Sequence, residues 1–417
     1  MRFDTVIIGG GLSGLACGIR LAEKGQRCAI VSAGQSALHF SSGSFDLLGY
    51  VDGKEVENPL EAIPSLPSTH PYSLLGAARV KELASEVMPF MQSVGIKLNG
   101  CTDHNHYRIT PIGNLRPTWL TCDEYVTIGQ DKNISWSKAL ILQVAGFLDF
   151  PTEFIAEGLE KMNVKCTISA FTLPELLRLR KNPSEMRSAN IARVFESEEA
   201  LEHLITVVKE NAMGYDIVLL PAVVGLYSPA MIERLQDAIH QQVKVVATLP
   251  PSVPGIRVQM MMRERFQALG GVYMLGDIVD KGDIRNGEVK SINTEKQGDI
   301  KLEADNFVIA TGNFFSHGMK ATPYGITEPI FGLDVNCSEN RGEWYDKTFL
   351  NAQPYMKYGV ATDAEFHALK DGKPINNLFV VGALLSGADR VKECCGAGIS
   401  LLTSLEVASR INKKTGK

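Results

Sequence analysis

The residues whose spacing most clearly carries chemistry stand at the start of the chain: Gly9-x-Gly11-x-x-Gly14, directly after the apolar run Val6-Ile7-Ile8. Glycines at this spacing have separate duties. Gly9 allows a tight turn, Gly11 lets a phosphoryl group come up to the backbone, and Gly14 lets a helix lie close on a sheet. The unpaired N–H groups of the helix start, with the positive end of its dipole, then face an anion. The chemistry expected is binding of a flavin or nucleotide phosphate; the competing reading is an ordinary glycine-rich turn. An acid that holds an adenosine ribose belongs roughly 20 residues further on. Ser32 stands there instead. FAD would forgo a hydrogen bond to a charged group, worth about 1.5–3 kcal/mol. FMN has no second ribose and loses nothing.

Further candidates follow the same logic. His39, Ser41, Ser42 and Gly43 lie in a loop after the second strand and either line the middle of a cofactor or form a surface turn. Ala310-Thr311-Gly312 ends a buried strand, Gly382 ends another, and Cys395-Gly396-Ala397-Gly398 opens a long helix. That helix start either aims N–H groups at flavin N1 and O2, where charge collects on reduction, or simply packs. The cofactor-binding set is therefore Gly9, Gly11, Gly14, Ser32, Ser41, Ser42, Gly43, Thr311, Gly312, Gly382, Gly396 and Gly398. No acid–base pair stands out, so no catalytic residue is named. Arg116, Arg257 and Arg341 are the cations considered for an anionic substrate, without a pattern that selects one. His104 and His106 share a strand face but lack a third ligand, and none of the eight cysteines forms a CxxC pair, so no metal or cluster site is expected. Cys394-Cys395 is either a redox pair or two small packed residues.

The elements that position these residues are legible from periodicity. Val6–Ile8, a helix over 15–24 and a strand over 27–31 make a complete β-α-β unit. Pro89 should cap or kink a helix over 77–94, residues 175–210 read as charged helix, and a helix is expected from about Arg257. Asn286-Gly287 signals a hairpin. The fold class expected is α/β: a Rossmann-like FAD/NAD(P)-binding fold, three-layered with a mostly parallel sheet, and an inserted α+β domain. Residues 1–100 with 240–417 would form the flavin-binding part, and 101–240 the insertion. At 417 residues the chain suits two joined domains. Its net charge of −5 argues against a nucleic-acid binder. No run of 18 uncharged apolar residues is present, so no transmembrane helix is expected; no signal peptide is visible, and scattered cysteines suit a reducing cytoplasm.

The glycine loop, the Ala-Thr-Gly strand and the terminal strand plus helix together resemble the glutathione-reductase-type flavoproteins. In that superfamily the last strand usually ends Gly-Asp; here it ends Gly382-Ala383. More closely, the chain resembles the family of B subunits of anaerobic glycerol-3-phosphate dehydrogenases. The strings are Ser36-Ala-Leu-His-Phe-Ser-Ser-Gly-Ser44, His70-Pro-Tyr-Ser-Leu-Leu-Gly76, Leu249-Pro-Pro-Ser-Val253 with Gly255-Ile-Arg257, Glu328-Pro-Ile330 with Gly332-Leu-Asp-Val335, and Arg341-Gly-Glu-Trp-Tyr345. Glu393-Cys-Cys-Gly-Ala-Gly398 departs from a family string closer to Gln-Gly-Cys-Gly-Gly-Gly. The resemblance implies an FMN-bearing subunit (FAD being the alternative) of a complex that oxidises sn-glycerol 3-phosphate to dihydroxyacetone phosphate. Electrons would pass to menaquinone and on to fumarate or nitrate. It implies an FAD-containing catalytic partner, an iron–sulfur membrane-anchor partner and a peripheral place on the cytoplasmic face of the inner membrane. Two other readings stay open: a non-redox scaffold, and an independent FAD oxidoreductase.

Overall fold

The first strand, β1 (Arg2–Ile8), is buried because Val6, Ile7 and Ile8 are sandwiched on both faces, as a central parallel strand requires. A computed structural model describes residues 1–416. After β1 come the helix α1 (Leu12–Ala22) and the strand β2 (Cys28–Ser32). Contacts divide the chain into two units: Met1–Ala37, Asp46–Phe90 and Met262–Lys417 in the first, Leu38–Phe45 and Met91–Met261 in the second.

The first unit holds a six-stranded sheet. Its order is Val272–Leu275, β2, β1, Glu303–Ile309, Lys373–Val380 and His367–Lys370. The first five run parallel and the last is antiparallel. Ile8 lies opposite Ile309, and Ile309 opposite Val380, so three segments far apart in the chain end level with one another. This is the Rossmann-like α/β arrangement. The C-terminal helix Gly396–Thr415 packs along α1. The hairpin expected at Asn286-Gly287 is present between Val279–Arg285 and Glu288–Thr294. Asn286 and Gly287 have φ of 52° and 73°, the positive pair that a tight hairpin turn needs.

The second unit contains a wholly parallel four-stranded sheet, ordered Lys165–Phe171, Lys138–Val144, Ile217–Pro221 and Gln242–Val246. Small antiparallel sheets join it, including Thr127–Ile128, His106–Ile109 and Leu115–Thr118.

Three local expectations gain detail. Of the two roles expected for Pro89, capping is excluded, because it stands inside Ala77–Ser93. A mid-helix proline costs about 3 kcal/mol, and here Val87, Phe90 and Met91 around it are all buried, which offsets such a cost at about 1.5–3 kcal/mol each. The charged helical stretch over 175–210 is divided into Leu177–Arg180, Ser188–Val194 and Glu198–Ala212 with short turns; the Ser197 hydroxyl restarts the last by accepting the Ala200 N–H at 3.2 Å. The helix expected from Arg257 begins at Val253. Ser252 Oγ accepts the Gly255 N–H at 3.1 Å, and Pro254 falls in the first turn, where its missing N–H costs nothing. Among the described residues no helix is long and apolar enough to cross a membrane.

Candidate functional site

The carboxyl ends of the parallel strands in the first unit gather most of the residues singled out above. Gly9 leaves β1 with φ of 118°, and a Cβ there would run into the Ala310 carbonyl. A Cβ on Gly14 would collide with the Gly9 carbonyl oxygen and meet Ile7 Cγ2 at 3.3 Å. Gly11 is different: a Cβ there would meet only Ser36 Cβ, at 3.4 Å. Two glycines are thus demanded by packing and the third leaves room beside the backbone. Gly11 is the N-cap of α1, with no side-chain cap and no acid in the first turn. The first intrahelical bond runs from Leu15 N to Gly11 O at 3.0 Å, so the Leu12, Ser13 and Gly14 N–H groups precede the ladder. This terminus keeps its full positive character.

The helix at the other end of the chain starts at the same edge. A Cβ on Gly382 would run into the Ser13 hydroxyl and stand 3.6 Å from Ser400 Oγ. At their far ends the two helices are tied by Gln26 Nε2 donating to Asn412 Oδ1 at 2.8 Å. They therefore run parallel, with both N-termini beside the strand ends. In the second terminus Gly398 is the packing glycine: its N–H donates to Asp46 O at 2.9 Å, and a Cβ would meet Leu47 Cα at 3.0 Å. Tyr72 fixes that segment by donating from its hydroxyl to Leu47 O at 2.8 Å. A Cβ on Gly396 would meet only Arg390 Cβ, at 3.5 Å. Cys395 is the N-cap, without a side-chain cap bond.

Between these termini lie Thr311 and Gly312, at the end of the Glu303–Ile309 strand. Thr311 Oγ1 is buried and has no hydrogen-bond partner among the described residues, an arrangement that a bound polar group resolves. Ser32 is 3% exposed, and its hydroxyl donates to Gly34 O at 3.4 Å. Beside it Tyr273 donates to Gly10 O at 3.3 Å. No sequence signal singled out Tyr273; its strand became a neighbour of β2 only on folding. Ser41, Ser42 and Gly43 belong to the second unit. There Ser42 Oγ lies 2.9 Å from Ser44 Oγ, a Cβ on Gly43 would stand 2.5 Å from the Tyr125 ring, and one on Gly255 would stand 2.6 Å from Ser41 Oγ. Burial pushes the His39 imidazole down, against the hydrogen bond with Gln259.

The cations considered for an anionic substrate separate. Arg257 is buried and engaged within the second unit, by Glu124 and by Gly225 O at 2.6 Å. Arg341 lies over the Trp344 ring in the first unit, 5.8 Å from its centroid. In the second unit Arg108 stands opposite Arg116 across two antiparallel strands. His104 Nδ1 is 3.0 Å from Cys101 Sγ, whereas His106 Nε2 is 3.3 Å from Thr121 Oγ1; the histidine pair does not converge.

One trio of possible metal ligands does lie close among the described residues: His70, Glu393 and Cys395, within 4.8 Å of one another. Its hydrogen bonding argues against a metal. His70 Nδ1 accepts the Tyr72 N–H at 3.1 Å, so the neutral ring carries its proton on Nε2. That nitrogen stands 3.3 Å from Glu393 Oε2. Ligation through Nε2 would move the proton to Nδ1, into the Tyr72 donor. Cys395 donates its thiol to Glu393 Oε2 at 3.6 Å. Burial pushes the Cys395 thiol up, helped by the Glu393 charge, so it stays protonated. Cys394 Sγ donates to Val391 O at 3.7 Å, and neither sulfur is in a disulfide.

Residues 4–399 match the FAD binding domain family, and the chain belongs to this class of Rossmann-like flavoprotein-type domains. Within it, the chain belongs to the B-subunit family of anaerobic glycerol-3-phosphate dehydrogenase. It is 42% identical over 418 residues to the member from Pectobacterium atrosepticum, covering 99% of each chain, and 42% identical over 416 residues to that from Yersinia enterocolitica, covering 99% of this chain and 98% of the other. The 3-ketosteroid delta1-dehydrogenase of Sterolibacterium denitrificans is a structural neighbour, with a TM-score of 0.46, 10% identity and coverage of 99% and 100%.

Proposed function

We propose that this chain is a flavin-binding redox subunit of an anaerobic glycerol-3-phosphate dehydrogenase complex. The observation that carries the reading is the pair of helix termini at one sheet edge, each with a roomy glycine (Gly11, Gly396) beside a packing-locked one (Gly14, Gly398). Gly11 and the N–H groups of Leu12, Ser13 and Gly14 would hold the flavin phosphate. Thr311, with its unsatisfied hydroxyl, and the start of the C-terminal helix would hold the polar edge of the ring. A bound flavin supplies the electron-accepting chemistry that no side chain at this edge has.

FMN fits these residues better than FAD. The position of the ribose acid is Ser32, which is buried and turned on its own loop. The substrate in this reading is sn-glycerol 3-phosphate, whose oxidation to dihydroxyacetone phosphate releases two electrons and two protons. The electrons pass on to menaquinone and then to fumarate or nitrate. The partners are an FAD-containing catalytic subunit and an iron–sulfur anchor subunit at the cytoplasmic face of the inner membrane. A complex is supported by the names of the relatives, each of which is one lettered subunit of a dehydrogenase. A second reading, a scaffold that has lost its cofactor, draws on Ser32 and Ala383, two positions where a cofactor-binding acid is replaced.

The test is to produce the chain in flavin-replete cells, denature it and identify the released chromophore by mass and absorbance. FMN at near one equivalent is expected. FAD would overturn the mononucleotide part, and no flavin at all would leave the scaffold reading.

A further inference from the structure

The turn ahead of the C-terminal helix carries a carboxylate, Glu393. Glu393 stands two residues before the N-cap Cys395, and 15% of its side chain reaches solvent. It is held from several sides. Its main-chain carbonyl accepts the Gly49 and Tyr50 N–H groups at 2.8 and 3.1 Å. Its own N–H donates to Asp389 O at 2.8 Å. The carboxylate faces His70 Nε2 and the Cys395 thiol, as described, and Lys357 Nζ at 3.7 Å. The carboxylate is therefore fixed, largely buried and close to the N-terminus of a 20-residue helix.

Resting on the flavin reading above, we infer that Glu393 sets the reduction potential of the flavin held at this turn, keeping it below the value that the helix terminus alone would confer. Two-electron reduction of a flavin concentrates negative charge at N1 and O2, the edge that this turn would face. The helix N-terminus favours that charge; a carboxylate in the same low-dielectric surroundings opposes it. Other charged groups surround Glu393 at the turn and temper its charge. Lys357 is 52% exposed, so solvent screens it. Arg390 is buried, with its guanidinium on the carbonyls of Leu385, Met356 and Ala388 rather than on a carboxylate. Asp389 accepts the N–H groups of Val391 and Lys392 with one oxygen. His70 faces the carboxylate through Nε2 at 3.3 Å. Removing Glu393's charge leaves these groups in place, which fixes the sign of the effect.

The test is a spectroelectrochemical titration of the flavin-loaded chain at neutral pH, with Glu393→Gln and, separately, Lys357→Ala. Glu393→Gln should favour the reduced form about tenfold, an upward shift of about 30 mV for two electrons. Lys357→Ala removes an exposed counter-charge and should shift the equilibrium about twofold the other way. A parent and variant that carry equal flavin but share one potential would overturn the inference while leaving flavin binding intact. A parent that carries no flavin would overturn the underlying reading as well. Where Glu393→Gln fails to fold, Glu393→Ala decides: an upward shift supports the assignment and an unchanged potential refutes it.

Discussion

Gly11 and Gly14 lie one helical turn apart, yet the structure assigns them opposite sensitivities. A methyl on Gly14 would overlap the Gly9 carbonyl, with Gly9 C at 3.0 Å and Ile7 Cγ2 at 3.3 Å. Neither neighbour can yield, because Gly9 is main chain and Ile7 is fully buried in the sheet. Overpacking of this kind costs about 1–3 kcal/mol where side chains give way, and backbone must move here, so Gly14→Ala should cost at least about 3 kcal/mol. That is a large share of a typical stability of about 5–15 kcal/mol and several degrees in Tm. Gly11→Ala has an ordinary backbone, φ of −86°, and a single neighbour at 3.4 Å. Its stability should change by only a few tenths to about 1 kcal/mol, the cost of a poorer N-cap. On the proposed reading, however, its methyl projects into the space that a phosphoryl group would take. Loss of one charge-assisted N–H bond to phosphate is worth about 1.5–3 kcal/mol, or roughly tenfold to 150-fold in Kd. The assay pairs thermal melting with the absorbance of retained flavin, and Gly11→Val enlarges the second effect. Gly14→Ala that melts with the parent, or Gly11→Val that retains full flavin, would refute the division of labour between the two glycines.

Other perturbations test the frame around the site. In the second unit, Glu124→Gln should destabilise by about 3–5 kcal/mol, because it strips the buried Arg257 of its partner; denaturant titration reads this, and replacing both residues by apolar ones should recover much of the loss. In the first unit, Glu406 accepts from Arg79 and Arg410, each at 2.6 Å. Burial pushes its carboxyl up, but these two arginines outweigh it and leave it below the ordinary value. The stability it contributes is therefore present above the unfolded glutamate value of about 4.3 and fades as pH falls through the lower folded value. Glu406→Gln should melt lower than the parent at pH 7, with the gap closing toward about pH 3. Cys394 has φ of 49°, a left-handed backbone that costs an ordinary residue about 1–2 kcal/mol. Cys394→Gly should fold without loss, its Tm within a few degrees of the parent's, and a collapse of the fold would contradict this.

Sequence alone settled the β-α-β opening, because a β-branched run, glycines at a fixed spacing and an apolar helix face are local requirements that each residue states for itself. The Asn286-Gly287 hairpin was legible for the same reason: few residues take two successive positive φ angles. Helix boundaries were less so. Pro89 and the start at Val253 are decided by burial and by the Ser252 cap, which periodicity does not show. The two roomy glycines and the two locked ones look identical in the sequence; only the neighbours at Gly9, Ser36, Tyr72 and Arg390 tell them apart. The meeting of His70 with Glu393 and Cys395 near the far end of the chain, the burial of Ser32 under Gly10, and the pairing of Arg257 with Glu124 were likewise invisible. Short-range geometry is written in residue type and spacing, whereas the identity of a side chain's partner depends on which distant strands the sheet sets side by side.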